Sequence, residues 1–208
     1  MKHMVKLTFT EEVLGTASAN PEIYEEFIAG KCEDPEATGD EVDTLPPEEL
    51  VEKGTTVFHR MPGDESAPAL MDYQIKGFFK DACASLKRAD APYSAKLKAY
   101  KKTIDQVVFV NPQMIPIQLN GAGLGVCVRP LRAQTAQGER VSLARSETVP
   151  PGSVIEFEVI DLSGKLGDEI EEWLEYGALR GIGQWRNSGK GRFEYEMSAA
   201  PVVKKVDK

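Results

Sequence analysis

Apolar and polar positions alternate at both ends of this chain. Val5, Leu7 and Phe9 are separated by Lys6 and Thr8, which predicts a first strand over Val5–Thr10. Ile155, Phe157 and Val159 alternate with Glu156 and Glu158, predicting a strand over 153–160 with one solvated face. Phe193, Tyr195 and Met197 alternate with Glu194 and Glu196 in a last strand. A 3.6-residue period takes over at Ile75, Phe78, Phe79, Ala82, Cys83 and Leu86, predicting a helix from about 74 to 88. The same period at Ile170, Trp173, Leu174 and Gly177 predicts a second helix, with Asp168 as its cap. A third is predicted by Ile23, Phe27 and Ile28, entered through Asn20-Pro21 and ending near Gly30.

The middle of the chain is less regular. Residues 55–60, 106–110, 115–119 and 125–130 are short strand candidates, and 93–102 reads as helix or loop. Pro62-Gly63-Asp64, Asn120–Gly125 and Pro150-Pro151-Gly152 are turns. Strands and helices that alternate loosely, with hairpin-like pairs in the second half, predict an α+β protein. The plan expected is the β-α-β-β-α-β ferredoxin-like one, an antiparallel sheet with helices on one face. Residues 1–200 are expected to form one domain with an acidic insertion at about 31–54, followed by a frayed tail at 201–208.

Composition narrows the classes. With 41% hydrophobic and 28% charged residues, the 208-residue chain has the balance of a soluble globular protein. No apolar run is long enough to span a bilayer, and the expected location is the cytoplasm. Cys32, Cys83 and Cys127 form no CxxC pair, and with only His3 and His59 available no zinc spacing arises. Neither a metal nor a cofactor is expected. The net charge of −8 argues at first against nucleic acid. The charge is segregated, however. Residues 33–52 hold nine acids and no base, and removing them turns −8 into +1. Residues 74–102 carry eight Lys or Arg against two Asp.

The densest candidate chemistry lies at Gly181–Arg192. This loop has four glycines, Arg186, Lys190, Arg192 and Trp185, and no acid. Gly181, Gly183, Gly189 and Gly191 can bring backbone N–H groups close to an anion. The cations can neutralise phosphates, and Trp185 can stack on a base. The same residues serve equally well as a tight bulged turn with Trp185 over the core. The loop follows a helix and precedes a strand, the reverse of a dinucleotide fingerprint, and lacks the Gly-Lys-Ser/Thr ending of a Walker loop. Lys76-Gly77 and Lys80 offer a second cationic element, at a helix start with free N–H donors or as ordinary solvated positions. The run Lys87-Arg88 to Lys101-Lys102, with Tyr93 and Tyr100, fits a nucleic-acid groove or a solvated face. His59-Arg60 is a weak candidate acid/base and phosphate clamp for RNA cleavage.

Three segments together resemble the RAMP superfamily, the RNA-binding proteins of CRISPR systems. Val5–Thr16 is similar to its first strand and glycine-terminated turn. Pro68–Lys80, with Ile75-Lys76-Gly77-Phe78-Phe79-Lys80, is similar to the "SSLKGALR" helix start of type III backbone subunits, with Gln74 for the serine and Lys80 for the arginine. Gly181–Phe193 is similar to the C-terminal glycine-rich loop with its "GxGxxRxxGxGxF" cadence. The resemblance implies a ferredoxin-like (RRM-like) core. It also implies RNA bound by Lys76, Gly77 and Lys80 with the loop residues, and assembly head-to-tail or with effector subunits. Type III backbone subunits cleave RNA with an aspartate before the Lys-Gly helix. Asp34, Asp40, Asp43 and Asp64 occupy that interval without the matching context, so no nuclease is carried over. The chain also resembles small phage and prophage proteins. Three functions follow: a non-catalytic RNA-binding or assembly module, a phage-encoded mimic or inhibitor of a CRISPR effector, or a metal-independent endoribonuclease using His59.

Overall fold

The computed structural model describes residues 1–19, 55–135 and 138–199. The helix expected at 21–30, the acidic segment at 33–52 and the tail at 201–208 lie outside the described residues.

Two short segments, β2 (Val13–Leu14) and β3 (Ala17–Ser18), follow strand β1 (Lys2–Phe9). Next come β4 (Thr55–Val57), β5 (His59–Met61) and β6 (Asp64–Met71), then helix α1 (Asp72–Arg88). A 3-10 turn at Ser94–Lys96 leads to α2 (Tyr100–Val107), β7 (Val108–Asn111) and β8 (Met114–Gln118). A long hairpin of β9 (Gly125–Thr135) and β10 (Gly138–Val149) precedes β11 (Val154–Asp161). The chain then forms α3 (Gly167–Arg180), a 3-10 turn at Arg186–Ser188 and β12 (Phe193–Ala199).

The main sheet runs β12-β1-β11-β8-β6-β5, and β7 also pairs with β11. Within it, β1, α1, β7, β11, α3 and β12 follow the split β-α-β plan in the spatial order β12-β1-β11-β7, every neighbouring pair antiparallel. The fold is α+β and compatible with a ferredoxin-like arrangement. Alternation sets the faces. Val5, Leu7 and Phe9 of β1 and Ile155, Phe157 and Val159 of β11 are buried under the helices. Ile75, Phe78, Phe79, Ala82 and Cys83 of α1 meet Ile170, Trp173 and Leu174 of α3, with the Phe79 and Trp173 rings 5.3 Å apart. A Cβ on Gly177 would stand 2.4 Å from the Phe78 ring and 2.5 Å from that of Phe193, so bare backbone lets the helix sit against these aromatics.

A second sheet, β2-β10-β4-β3 with β9 on β10, stands beside the first. It was partly legible in the sequence, where 55–60 and 125–130 read as strands and β10 did not. Its inward residues Arg129, Ala144, Ser146 and Thr148 are small or polar, while Val126 and Val128 point outward at 68% and 50% exposure.

Three local expectations need correcting. Helix α1 starts at Asp72, after Met71, so Lys76 and Gly77 fall in its second turn, where N–H groups bond within the helix. Residues Gln106 and Val107 end α2 rather than starting a strand, because Ile104 is buried on that helix. Asp168 lies inside the first turn of α3, not at its cap. The turn before the helix is instead organised by buried Asp161, whose carboxylate accepts from the Ser163 and Leu166 N–H groups at 2.8 Å each. Burial pushes that carboxyl up, but hydrogen bonds from Ser163, Leu166 and Lys165 outweigh it and hold the group below the usual aspartate range.

Candidate nucleic-acid interface

The glycine loop begins where α3 runs out. Gly181 (φ 82°) and Gly191 (φ 74°) lie where the two arms of the loop cross. A Cβ on Gly181 would stand 2.3 Å from the Lys190 carbonyl oxygen, and one on Gly191 would stand 1.9 Å from that of Ile182. Only glycine fits either position, for conformational and steric reasons together. Between them Ile182 is buried and Trp185 stands 38% exposed. Trp185 takes the left-handed conformation, φ 57°, which is strained for a bulky side chain.

The loop is fixed to the turn after β1. The Arg192 carbonyl accepts from Thr10 N–H at 2.9 Å, and Gly191 N–H donates to the Glu12 carbonyl at 2.8 Å. Lys190 Nζ meets the Glu12 carboxylate at 2.8 Å, and this hydrogen bond raises the lysine's pKa. The loop also reaches α1, where Arg186 Nη1 meets Asp81 at 2.6 Å, one turn beyond Gly77. On the other side Gln74 Nε2 donates to Thr16 Oγ1. Segments more than a hundred residues apart thus form one surface: the β1 turn, the first half of α1 and the glycine loop.

Not every predicted residue joins it. Lys76 Nζ donates to the Asp105 carbonyl at 3.2 Å and lies 5.1 Å from the centre of the Phe109 ring. Lys80 pairs with the Asp105 carboxylate. Both cations lean toward α2, away from the Asp81–Arg186 contact. Gly77 is exposed with nothing within 4 Å of a built Cβ. In the loop, Arg186 and Lys190 are paired to acids, Gly189 (φ 81°) closes the 3-10 turn, and the Gly183 Cβ position lies 3.2 Å from the Leu14 carbonyl. Among the described residues Arg192 has no ion-pair partner.

Sequence reasoning missed Arg129, which β9 brings under the loop. Its guanidinium lies 4.4 Å from the centre of the Trp185 ring, and Nη2 donates to Gln184 Oε1 at 2.7 Å. An arginine that follows Val126-Cys127-Val128 and precedes Pro130 reads as a solvent-facing position, so no hydropathy signal could have found it. The acids Glu12 and Asp81 were equally hidden, because their partners are distant in sequence.

The open face of the central strands is not the basic surface. It carries Glu156, Glu158, Glu194 and Glu196 against Lys2 and Lys6, with Lys2–Glu158 at 2.9 Å and Lys6–Glu196 at 2.8 Å. His59, on β5, lies 3.3 Å from the Tyr73 hydroxyl, and burial lowers its pKa. Its neighbour Arg60 is held by Glu147 at 2.5 Å. Among the described residues no cluster of His, Cys, Asp or Glu could hold a metal ion. Among them, too, no helix is long and apolar enough to cross a membrane.

No family model and no curated protein matches this chain. Solved structures do. A chain of the type III-B Cmr-beta complex bound to cognate target RNA, seen by cryo-EM, superposes with a TM-score of 0.51 at 12% identity. The match covers 94% of this chain and 60% of that one, so this chain spans well under two thirds of its neighbour's length. A chain of a type IV-B CRISPR complex matches at TM-score 0.49 and 10% identity, covering 100% of this chain and 95% of that one. At these identities the first likeness establishes a shared fold.

Proposed function

We propose that this chain is a non-catalytic RNA-binding or assembly module of RAMP type, holding RNA phosphates on the glycine loop. The observation that carries this reading is the convergence of the β1 turn, α1 and the loop, through Gly191–Glu12, Lys190–Glu12, Arg186–Asp81 and Gln74–Thr16. The three segments that resemble the superfamily are the three that meet. The fold shared with a chain of an RNA-bound CRISPR complex supports it, and that context suggests effector subunits or further copies of this chain as partners. Arg186, Lys190 and Arg192 supply charge, the glycines supply close backbone approach, and Trp185 supplies a stacking surface. Lys76 and Lys80 add charge on the α2 side of α1, beside that surface rather than within it.

The test is a salt-dependent binding measurement with labelled single-stranded RNA. The triple variant Arg186→Ala, Lys190→Ala, Lys76→Ala should lose about two units of the slope of log K against log salt, at about 0.7 per phosphate contact. Undiminished binding by that variant would remove the proposed site. RNA recovered uncut, with His59→Ala equal to wild type, separates this reading from an endoribonuclease. The effector-mimic reading is favoured by the charge of −8 and the nine acids of residues 33–52. It expects deletion of 33–52 to weaken partner capture at an unchanged melting temperature.

A further inference from the structure

The inward face of β9 places a charge where no described residue gives it a counter-ion. Arg129 is 7% exposed, and its Nε and Nη1 are buried without a hydrogen-bond partner. Its third nitrogen, Nη2, reaches the neutral side chain of Gln184. No carboxylate among the described residues lies within ion-pair distance of it. An arginine keeps its proton in a protein, so Arg129 stays cationic in this setting. A buried cation without an anion is costly and is retained where an anion completes it. The second observation is what covers it. Trp185 lies over the guanidinium, is itself half-exposed, and is held in a left-handed conformation that a tryptophan rarely adopts. Strain in a bulky residue beside an incomplete charge marks a group poised to move.

The geometry points to a closed phosphate site: Arg129 takes an RNA phosphodiester when Trp185 swings off it, and the released indole stacks on the adjoining base. The exchange is matched on both sides. The guanidinium gives up a ring face and gains a charge-assisted phosphate oxygen at one of the two nitrogens, Nε or Nη1, that have no partner now. The indole gives up a cation and gains a base. Gln184 stays on Nη2 and fixes the plane of the guanidinium. The assignment rests on the RNA reading of the glycine loop and adds to it a site outside the loop that is hidden until RNA arrives.

The experiment uses the full chain with fluorescein-labelled polyuridine, reading affinity, salt slope and tryptophan emission. Trp173 is fully buried, so emission that changes with RNA and is absent in Trp185→Phe belongs to Trp185. Arg129→Met should weaken binding about tenfold, the loss expected for one charge-assisted contact. It should lower the salt slope by about 0.7, the value for one phosphate on a single strand. Its melting temperature should equal or exceed that of wild type, because an unpaired buried charge has gone. A variant that melts lower but keeps the wild-type slope would show that Arg129 only braces Trp185, and the site would be withdrawn. Trp185 emission indifferent to bound RNA would do the same. If removing residues 33–52 destabilises wild type but not Arg129→Met, the chain's own carboxylates are the partner and the phosphate assignment falls. In these three outcomes RNA still binds, so the loop reading survives. Wild type that binds no RNA at any salt overturns both.

Discussion

Glu12 and Asp81 each hold one cation of the glycine loop, and each pair is partly exposed: 26% for the two cations and about 40% for the two acids. Pairs at such positions are worth about 0.2–1 kcal/mol. RNA phosphates can therefore replace these carboxylates at little cost, and the acids keep the cations aimed until they do. Glu12→Gln and Asp81→Asn should accordingly tighten RNA binding, by up to about fivefold each, as measured by fluorescence anisotropy. Unchanged or weaker binding would mean that the carboxylates position the loop rather than compete for it. At this scale the sequence displayed the cations but not their partners. A lysine or arginine beside glycines is visible in one dimension, whereas Glu12 lies 178 residues from Lys190.

The elements that the sequence displayed best are those with one apolar face. Strands β1, β11 and β12 and helices α1 and α3 bury their periodic residues against one core, so their period survives in the amino-acid order. Of hairpin β9–β10 the sequence displayed residues 125–130 alone, because its inward positions are Arg129, Ala144, Ser146 and Thr148 and its outward ones include Val126, Val128 and Leu143, an inverted pattern. Two glycines on facing helices behave oppositely. Gly177→Ala places a methyl within 2.5 Å of two rings and should lower stability by about 1–2 kcal/mol in thermal unfolding, even after the gain in helix propensity. Gly77→Ala meets open space and should stabilise α1 by about 0.5–1 kcal/mol, so any RNA binding that it loses reports contact and not damage. The turn before α3 has a pH signature. Asp161 is held below its ordinary value, so its stabilisation is complete above the unfolded aspartate range near pH ~3.9 and fades as pH falls through the lower folded value. The melting-temperature gap between wild type and Asp161→Asn should therefore narrow from about pH 5 toward about pH 2. A constant gap would rule out the carboxylate as its source.

Over the whole molecule, two sheets share one basic corner. The main sheet supplies the β1 turn and the loop, and the second supplies Arg129 from behind. The net charge conceals this, because nine acids fall in the sequence segment 33–52 and others lie on the open face of the central strands. The register of β1 has a further consequence, for the order in which the chain is made. This central strand is made well before its partners: among the described residues it pairs with β11 and β12, at residues 154–160 and 193–199. At about 5–20 residues per second a ribosome needs roughly 10–30 s to deliver β11, and β12 comes later still. Throughout that interval Val5, Leu7 and Phe9 have no strand beside them, and the turn that will receive the glycine loop has nothing to hold. The corner proposed to meet RNA is therefore complete only when β12 closes over β1.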